Sequence, residues 1–139
     1  MQLNRNLHLC ITGMRVALGL IFLWFGLLKL FGASPVQKFV ASTTPLLGSG
    51  MGWILLGVFE VILGVGLIFK IAPKILSIAL ILHMVGTFST FFTAPTLMFR
   101  GYPWLLTFEG EFVVKNLVLA VGALIVLFAA KNHKEEDPV

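Results

Sequence analysis

Four apolar stretches, at about residues 11–32, 51–69, 74–92 and 112–130, dominate this chain and decide what it can become. Each comes close to the roughly 20 residues that a helix needs to cross about 30 Å of hydrocarbon. Backbone groups in lipid must find partners within their own segment, and runs this long and continuous do not alternate as barrel strands do, so helix is the spanning form. The expected fold is all-α, an integral membrane four-helix bundle that makes one domain of residues 1–139. Composition closes off a water-soluble fold. Hydrophobic residues make up 58% and charged residues 12% of the chain, against about 45–50% and about 25% in a soluble domain, which leaves too few polar side chains to cover a core in water.

The net charge of +4 comes from ten Lys and Arg scattered as singles. Phosphate binding along a nucleic acid needs a clustered basic stripe, so nucleic acid is excluded as a partner and the lipid bilayer takes its place. Cys10 is the single cysteine, which excludes dithiol chemistry within the chain. Haem is not expected, because a b-type haem in a membrane wants two facing histidines in the bilayer, and His8 and His133 fall outside the apolar runs. No metal-ligand spacing, P-loop or nucleophile motif appears.

Residues 69–74 form a tight link between the second and third runs, where Pro73 can open the third helix at its first turn. The other connections, residues 33–50 and 93–110, are long and fall on one face of the membrane. The second of them carries Phe99, Tyr102, Trp104 and Phe108, read as an interfacial aromatic belt with a ligand lid as the other reading. Arg5, Arg15, Lys70, Lys74, Lys131 and Lys134 gather on one side, while Lys29, Lys38, Arg100 and Lys115 lie on the other. The excess predicts both termini in the cytoplasm, to which the acidic tail Glu135-Glu136-Asp137 contributes little. A cleaved signal peptide is disfavoured, since Arg15 and Lys29 bracket the first apolar run closely and no Ala-x-Ala-like site follows. No internal repeat is evident.

Ionisable groups in hydrocarbon cost at least about 2.5–3.5 kcal/mol each at the bilayer centre, so each poses a question of pairing or of use. Arg15, Lys29, Glu60, His83, Glu111 and Lys115 are in this position, with Glu109 just outside. Projection at the helical period puts Arg15, Gly19, Phe22, Gly26 and Lys29 on one face of the first helix. The same projection aligns Trp53, Gly57, Glu60 and Gly64 on the second, Ala79, His83, Gly86, Thr87 and Thr90 on the third, and Glu111, Lys115, Val118, Gly122 and Ala129 on the fourth. Small residues let helices approach closely in lipid, so these faces are expected to meet inside the bundle. Glu60 and His83 sit mid-run on neighbouring antiparallel segments and therefore at one depth, where carboxylate and imidazole can bond. Lys29, Glu111 and Lys115 are expected higher, completing a ladder of polar groups toward the outer loops.

Plainer readings stand beside this one. Arg15 and Lys29 are near helix ends and can snorkel to the headgroups. Glu111 and Lys115 have the i,i+4 spacing of an ordinary helix ion pair. His83 can be a core histidine bonded to a threonine or a carbonyl. Glu60 is the hardest to dismiss as purely structural, because a mid-bilayer carboxyl group is so expensive.

Residues 22–29, Phe-Leu-Trp-Phe-Gly-Leu-Leu-Lys, are followed by Ser34-Pro35-Val36, the mid-helix Glu60, the run Ser89-Thr90-Phe91-Phe92-Thr93-Ala94-Pro95 and Phe112-Val113-Val114-Lys115-Asn116-Leu117. Together they resemble the DoxX-like membrane proteins, and especially their YkgB branch, over roughly residues 12–130. The resemblance implies a four-helix protein of the bacterial inner membrane, in a superfamily named for a subunit of a thiosulfate:quinone oxidoreductase, with the YkgB branch associated with tolerance of oxidative or chlorine stress. It also implies that Lys29, Glu60 and Lys115 are the embedded polar positions of the family. Gly110-Glu111-Phe112 departs from the Gly-Arg-Phe usual in the branch, which replaces a cation by an anion and puts a shared anionic ligand there in doubt.

The leading functional expectation is a membrane subunit or accessory factor of a quinone-linked redox or stress-response system, with a quinone headgroup near Glu60 and His83, a proton route through Lys29, Glu109, Glu111 and Lys115, and a membrane or periplasmic protein as partner. Quinone is the one cofactor class this reading needs, and no metal is expected. Alternatives are a small transporter coupled to protons through Glu60, or a non-catalytic scaffold in which the polar groups only fix packing.

Overall fold

The computed structural model describes residues 2–132, so His133, Lys134 and the acidic tail lie outside the described residues. Straight-chain and aliphatic residues with no interior proline carry the first apolar run into one continuous helix, α1 (Gln2–Leu30), which begins nine residues before the apolar run does. The first connection then folds into two short helices, α2 (Gln37–Thr43) and α3 (Pro45–Gly48), each too small to cross lipid. Next comes α4 (Gly50–Ile68). The turn after it uses left-handed backbone at Lys70 (φ 59°) and Ala72 (φ 44°), and Pro73 opens α5 (Pro73–Phe88) in its first turn, as the sequence predicts. The second connection holds α6 (Thr90–Thr93), α7 (Pro95–Met98) and a small antiparallel bridge between Phe99 and Leu106. The chain closes on α8 (Phe108–Asn132).

Four segments are long and apolar enough to span a membrane: Arg5–Leu30, Gly50–Ile68, Pro73–Thr93 and Phe108–Lys131. The fold is therefore the expected all-α membrane bundle. α1 packs chiefly on α4 and α5 on α8, while α1 with α8 and α4 with α5 close the ring. Leu18 and Phe22 of α1, Leu63 and Leu67 of α4, Leu80 and Met84 of α5, and Ala123 and Val126 of α8 form the central core. Side chains such as Trp24, Leu82 and Val118 are left exposed on the outside, where lipid is their solvent.

The α1–α4 seam is built from glycines seven residues apart on each helix, Gly19 and Gly26 against Gly64 and Gly57. A Cβ on Gly64 would come within 2.4 Å of the Leu23 nitrogen, and one on Gly26 within 2.7 Å of the Gly57 oxygen. The two backbones touch there, which only small residues allow. At the lower end of the seam the Arg15 guanidinium donates to the carbonyls of Leu67, which the Lys70 N–H also uses, and Ile68 at the end of α4.

The expected face of α8 holds only in part. Gly122 is buried and Ala129 half-buried, but Glu111, Lys115 and Val118 point outward, and the helix turns Gly110, Val113, Asn116, Ala123 and Val126 inward. α8 is apolar nearly all round, so its sequence offers no contrast from which to read a face, and its charged residues mark the lipid boundary instead. Of the aromatics of the second connection, Tyr102, Trp104 and Phe108 are exposed, with Tyr102 and Trp104 stacked at 5.3 Å, while Phe99 is half-buried against Phe91.

Candidate functional site

Close packing of glycines decides where the first charged group goes. Gly57 faces Lys29, with a Cβ on Gly57 falling 3.1 Å from the Lys29 Cβ, so Lys29 stands level with Gly57 and one helical turn from Glu60. A turn rises about 5.4 Å, a span that the four methylenes of lysine can cover. Lys29 accordingly does not snorkel. Its Nζ donates to Glu60 Oε2 at 2.6 Å, and both side chains are almost wholly buried, at 6% and 4% exposure. Lys29 thus starts one turn above Glu60, on the outer side, and the intimate α1–α4 contact lets its stem reach inward to the carboxylate instead of outward to the headgroups.

The second carboxylate oxygen meets the third helix. His83 Nε2 lies 3.3 Å from Glu60 Oε1, an ion-pair contact when the imidazole is protonated, and the His83 ring is held edge-on between Phe22 (5.9 Å) and Phe59 (5.7 Å). Equal depth on neighbouring antiparallel helices thus brings the pair together. Around the ammonium, the rings of Trp53 at 5.5 Å and Phe25 at 5.9 Å offer their faces. In a dry environment such contacts strengthen a cation's hold on its site. Glu60 is therefore a single carboxylate shared by two basic groups, one from α1 and one from α5.

These three residues form one wall of a cavity of about 420 Å³. Phe22, Phe25, Met84, Phe112 and Leu119 make it largely apolar, while Thr87, Thr90 and Asn116 add polar points. Its cover comes from the first connection: Pro35, Val36, Phe39, Val40 and Thr43 all line it, so α2 lies over the polar groups as a roof. Thr87 and Thr90 turn their hydroxyls back to the carbonyls of His83 and Thr87, which ties them to their own helix.

Sequence reasoning misses Asn116. It is buried at 7% exposure, lines the cavity and makes no hydrogen bond among the described residues. A polar amide inside an apolar run is the signal that finds it, and attention to charge alone passes over it. Three candidates stay away from the cavity. Glu109 and Glu111 occupy the first turn of α8, where carboxylates suit the positive end of the helix dipole, and Thr107 caps the same turn by accepting from Gly110 N–H at 3.0 Å. Lys115 is exposed, and no ion pair joins it to Glu111 among the described residues. The ladder toward the outer loops reduces to Lys29, Glu60 and His83, because α8 presents its other face. Nor do the described residues bring three or more His, Cys, Asp or Glu together as metal ligands.

The family model for DoxX matches residues 10–94. The chain belongs to the DoxX family. That match runs from α1 through α6, so the Lys29–Glu60–His83 cluster lies inside the region typical of DoxX proteins, while Asn116 on α8 lies beyond it. No curated protein and no solved structure matches the chain.

Proposed function

We propose that this DoxX-family protein holds the polar head of a hydrophobic, membrane-borne ligand in the cavity beside Glu60, and that the ligand is a quinone. The observation that carries this reading is the sharing of Glu60 between Lys29 and His83 on the wall of a largely apolar cavity. Ligand sites of this kind combine apolar and aromatic walls with a few converging polar groups, and a quinone ring with carbonyls at two ends matches that layout. Reduction of a quinone takes up two electrons and two protons. The side chains of this cavity can hold the carbonyls and move protons between lysine, carboxylate and imidazole, and the electrons come from a redox partner. The protein then serves as a subunit or accessory factor of a quinone-linked redox or oxidative-stress system in the bacterial inner membrane, with both termini cytoplasmic and the YkgB branch as its place in the family.

Quinone extracted with protein purified from native membranes tests this directly. Wild type is expected to retain quinone, and His83→Phe, which keeps an aromatic ring between Phe22 and Phe59, to lose most of it while still folding. Equal quinone content in the two proteins overturns the proposal. Proton-coupled transport through Glu60 is the second reading, favoured by a mid-membrane carboxylate with two alternative basic partners; solute movement driven by a pH gradient in proteoliposomes, abolished in Glu60→Gln, is its test.

A further inference from the structure

At the end of the bundle opposite the roofed cavity, a second recess of about 240 Å³ opens between α1, the α4–α5 turn and α8. Its polar lining is basic: Arg15, Lys70 and His8, with Thr12 beside them and no carboxylate among the described residues. Toward the middle of the membrane the lining becomes apolar through Val126 and Ala129. Arg15 is half-buried and uses one nitrogen, Nη1, for the carbonyls of Leu67 and Ile68, so the Nε and Nη2 donors of its planar fork remain without a protein partner among the described residues. Lys70 is held beside it by the left-handed turn, an unusual backbone state for lysine that fixes where its stem starts.

We propose that this recess binds the phosphate of an anionic phospholipid. The chemistry required is a phosphate oxygen pair for the free edge of a guanidinium, a second cation to share the charge, and a hydrophobic continuation for the glycerol and acyl chains; the recess supplies all three, with Lys70 at the turn, Arg15 level with the last carbonyls of α4, and Val126 and Ala129 as apolar lining. Arginine's fork suits phosphate in two-point contact, and basic pockets between membrane helices recognise such headgroups. The described carboxylates, Glu60, Glu109 and Glu111, lie mid-bilayer or at the far end of the bundle, so none of these three opposes the anion. This site is separate from the Glu60 cavity and stands without the quinone reading.

The test uses the full-length protein in nanodiscs of phosphatidylcholine mixed with phosphatidylglycerol, followed by mild-detergent release and native mass spectrometry of retained lipid. Wild type is expected to keep phosphatidylglycerol in preference to phosphatidylcholine. Lys70→Asn, which tolerates the left-handed turn and removes the charge, should lower that retention about fivefold, the ratio one basic group supplies near an anionic surface. Arg15→Gln should lower it further, and Lys70→Asn keeps the test valid where loss of the α4 carbonyl contacts unfolds that variant. Equal retention of the two lipids, or retention unchanged in Lys70→Asn, overturns the proposal. Displacement of the lipid by inorganic phosphate also overturns it, since that outcome belongs to a site for a soluble anion.

Discussion

The two walls of the Glu60 cavity are built in opposite ways. On the α1–α4 side, glycines bring backbone against backbone and the polar groups are tied off in a 2.6 Å bond between Lys29 and Glu60. On the α5–α8 side His83 keeps 19% of its side chain exposed, and Asn116 is unpartnered among the described residues. One wall is a fixed frame. The other sets the Asn116 amide, unpartnered among the described residues, beside an imidazole already held by Glu60, so on the reading proposed above the first pair of helices supplies the frame and the second meets the ligand.

Breaking the frame should have the largest effect. Lys29→Met leaves Glu60 buried without its cation, and loss of one partner of a buried pair costs about 3–5 kcal/mol. Thermal unfolding in detergent should show that loss, and Lys29→Met with Glu60→Gln should recover a large part of it; a double variant no more stable than the single one would show that the pair does not act as a unit. Adding bulk to the seam comes next. Gly64→Ala places a methyl group against the Leu23 backbone, which cannot move aside cheaply, and should lie toward the upper end of the roughly 1–3 kcal/mol that overpacking costs. At the α1–α8 contact Gly122→Ala crowds only the flexible Met14 side chain, with Sδ at 2.9 Å, and touches Leu18 Cδ1 at an ordinary 3.5 Å, so it should cost clearly less. Equal losses from the two glycines would show that the α1–α4 seam is no tighter than the α1–α8 contact.

The smallest stability effect is expected on the recognition side. Asn116→Leu removes an amide that bonds nothing among the described residues, so folding should change by less than about 1 kcal/mol, while retention of the proposed ligand drops. A large folding defect in Asn116→Leu would mean that this amide serves structure rather than binding.

The same contrast explains what could be read from sequence. On α1 and α4, glycines and charges recur at fixed spacing against an apolar background, so the faces containing Lys29 and Glu60 are legible before any coordinates. The depth match of Glu60 and His83 follows from the short turn at Lys70–Pro73. Lys29 is harder, since its distance from Glu60 depends on how closely two backbones approach, a quantity that glycine spacing implies only when both helices are read together. On α8 the signal disappears. Lys115 and Asn116 are adjacent in sequence yet about 100° apart around the helix, so choosing the charged neighbour turns the predicted face away from the cavity. The short helices α2 and α3 and the roof they form have no periodic signature long enough to detect.

The bond between Lys29 and Glu60 also bears on how the protein reaches its membrane. An isolated α4 would carry a carboxylate into hydrocarbon at its midpoint, a step that insertion scales charge at about 2.5–3.5 kcal/mol for such groups. Joined to the ammonium from α1, the same helix brings in no net charge. Biogenesis then favours a first segment that waits at the translocon until the next one emerges, so that the two leave for the bilayer together as a preassembled hairpin.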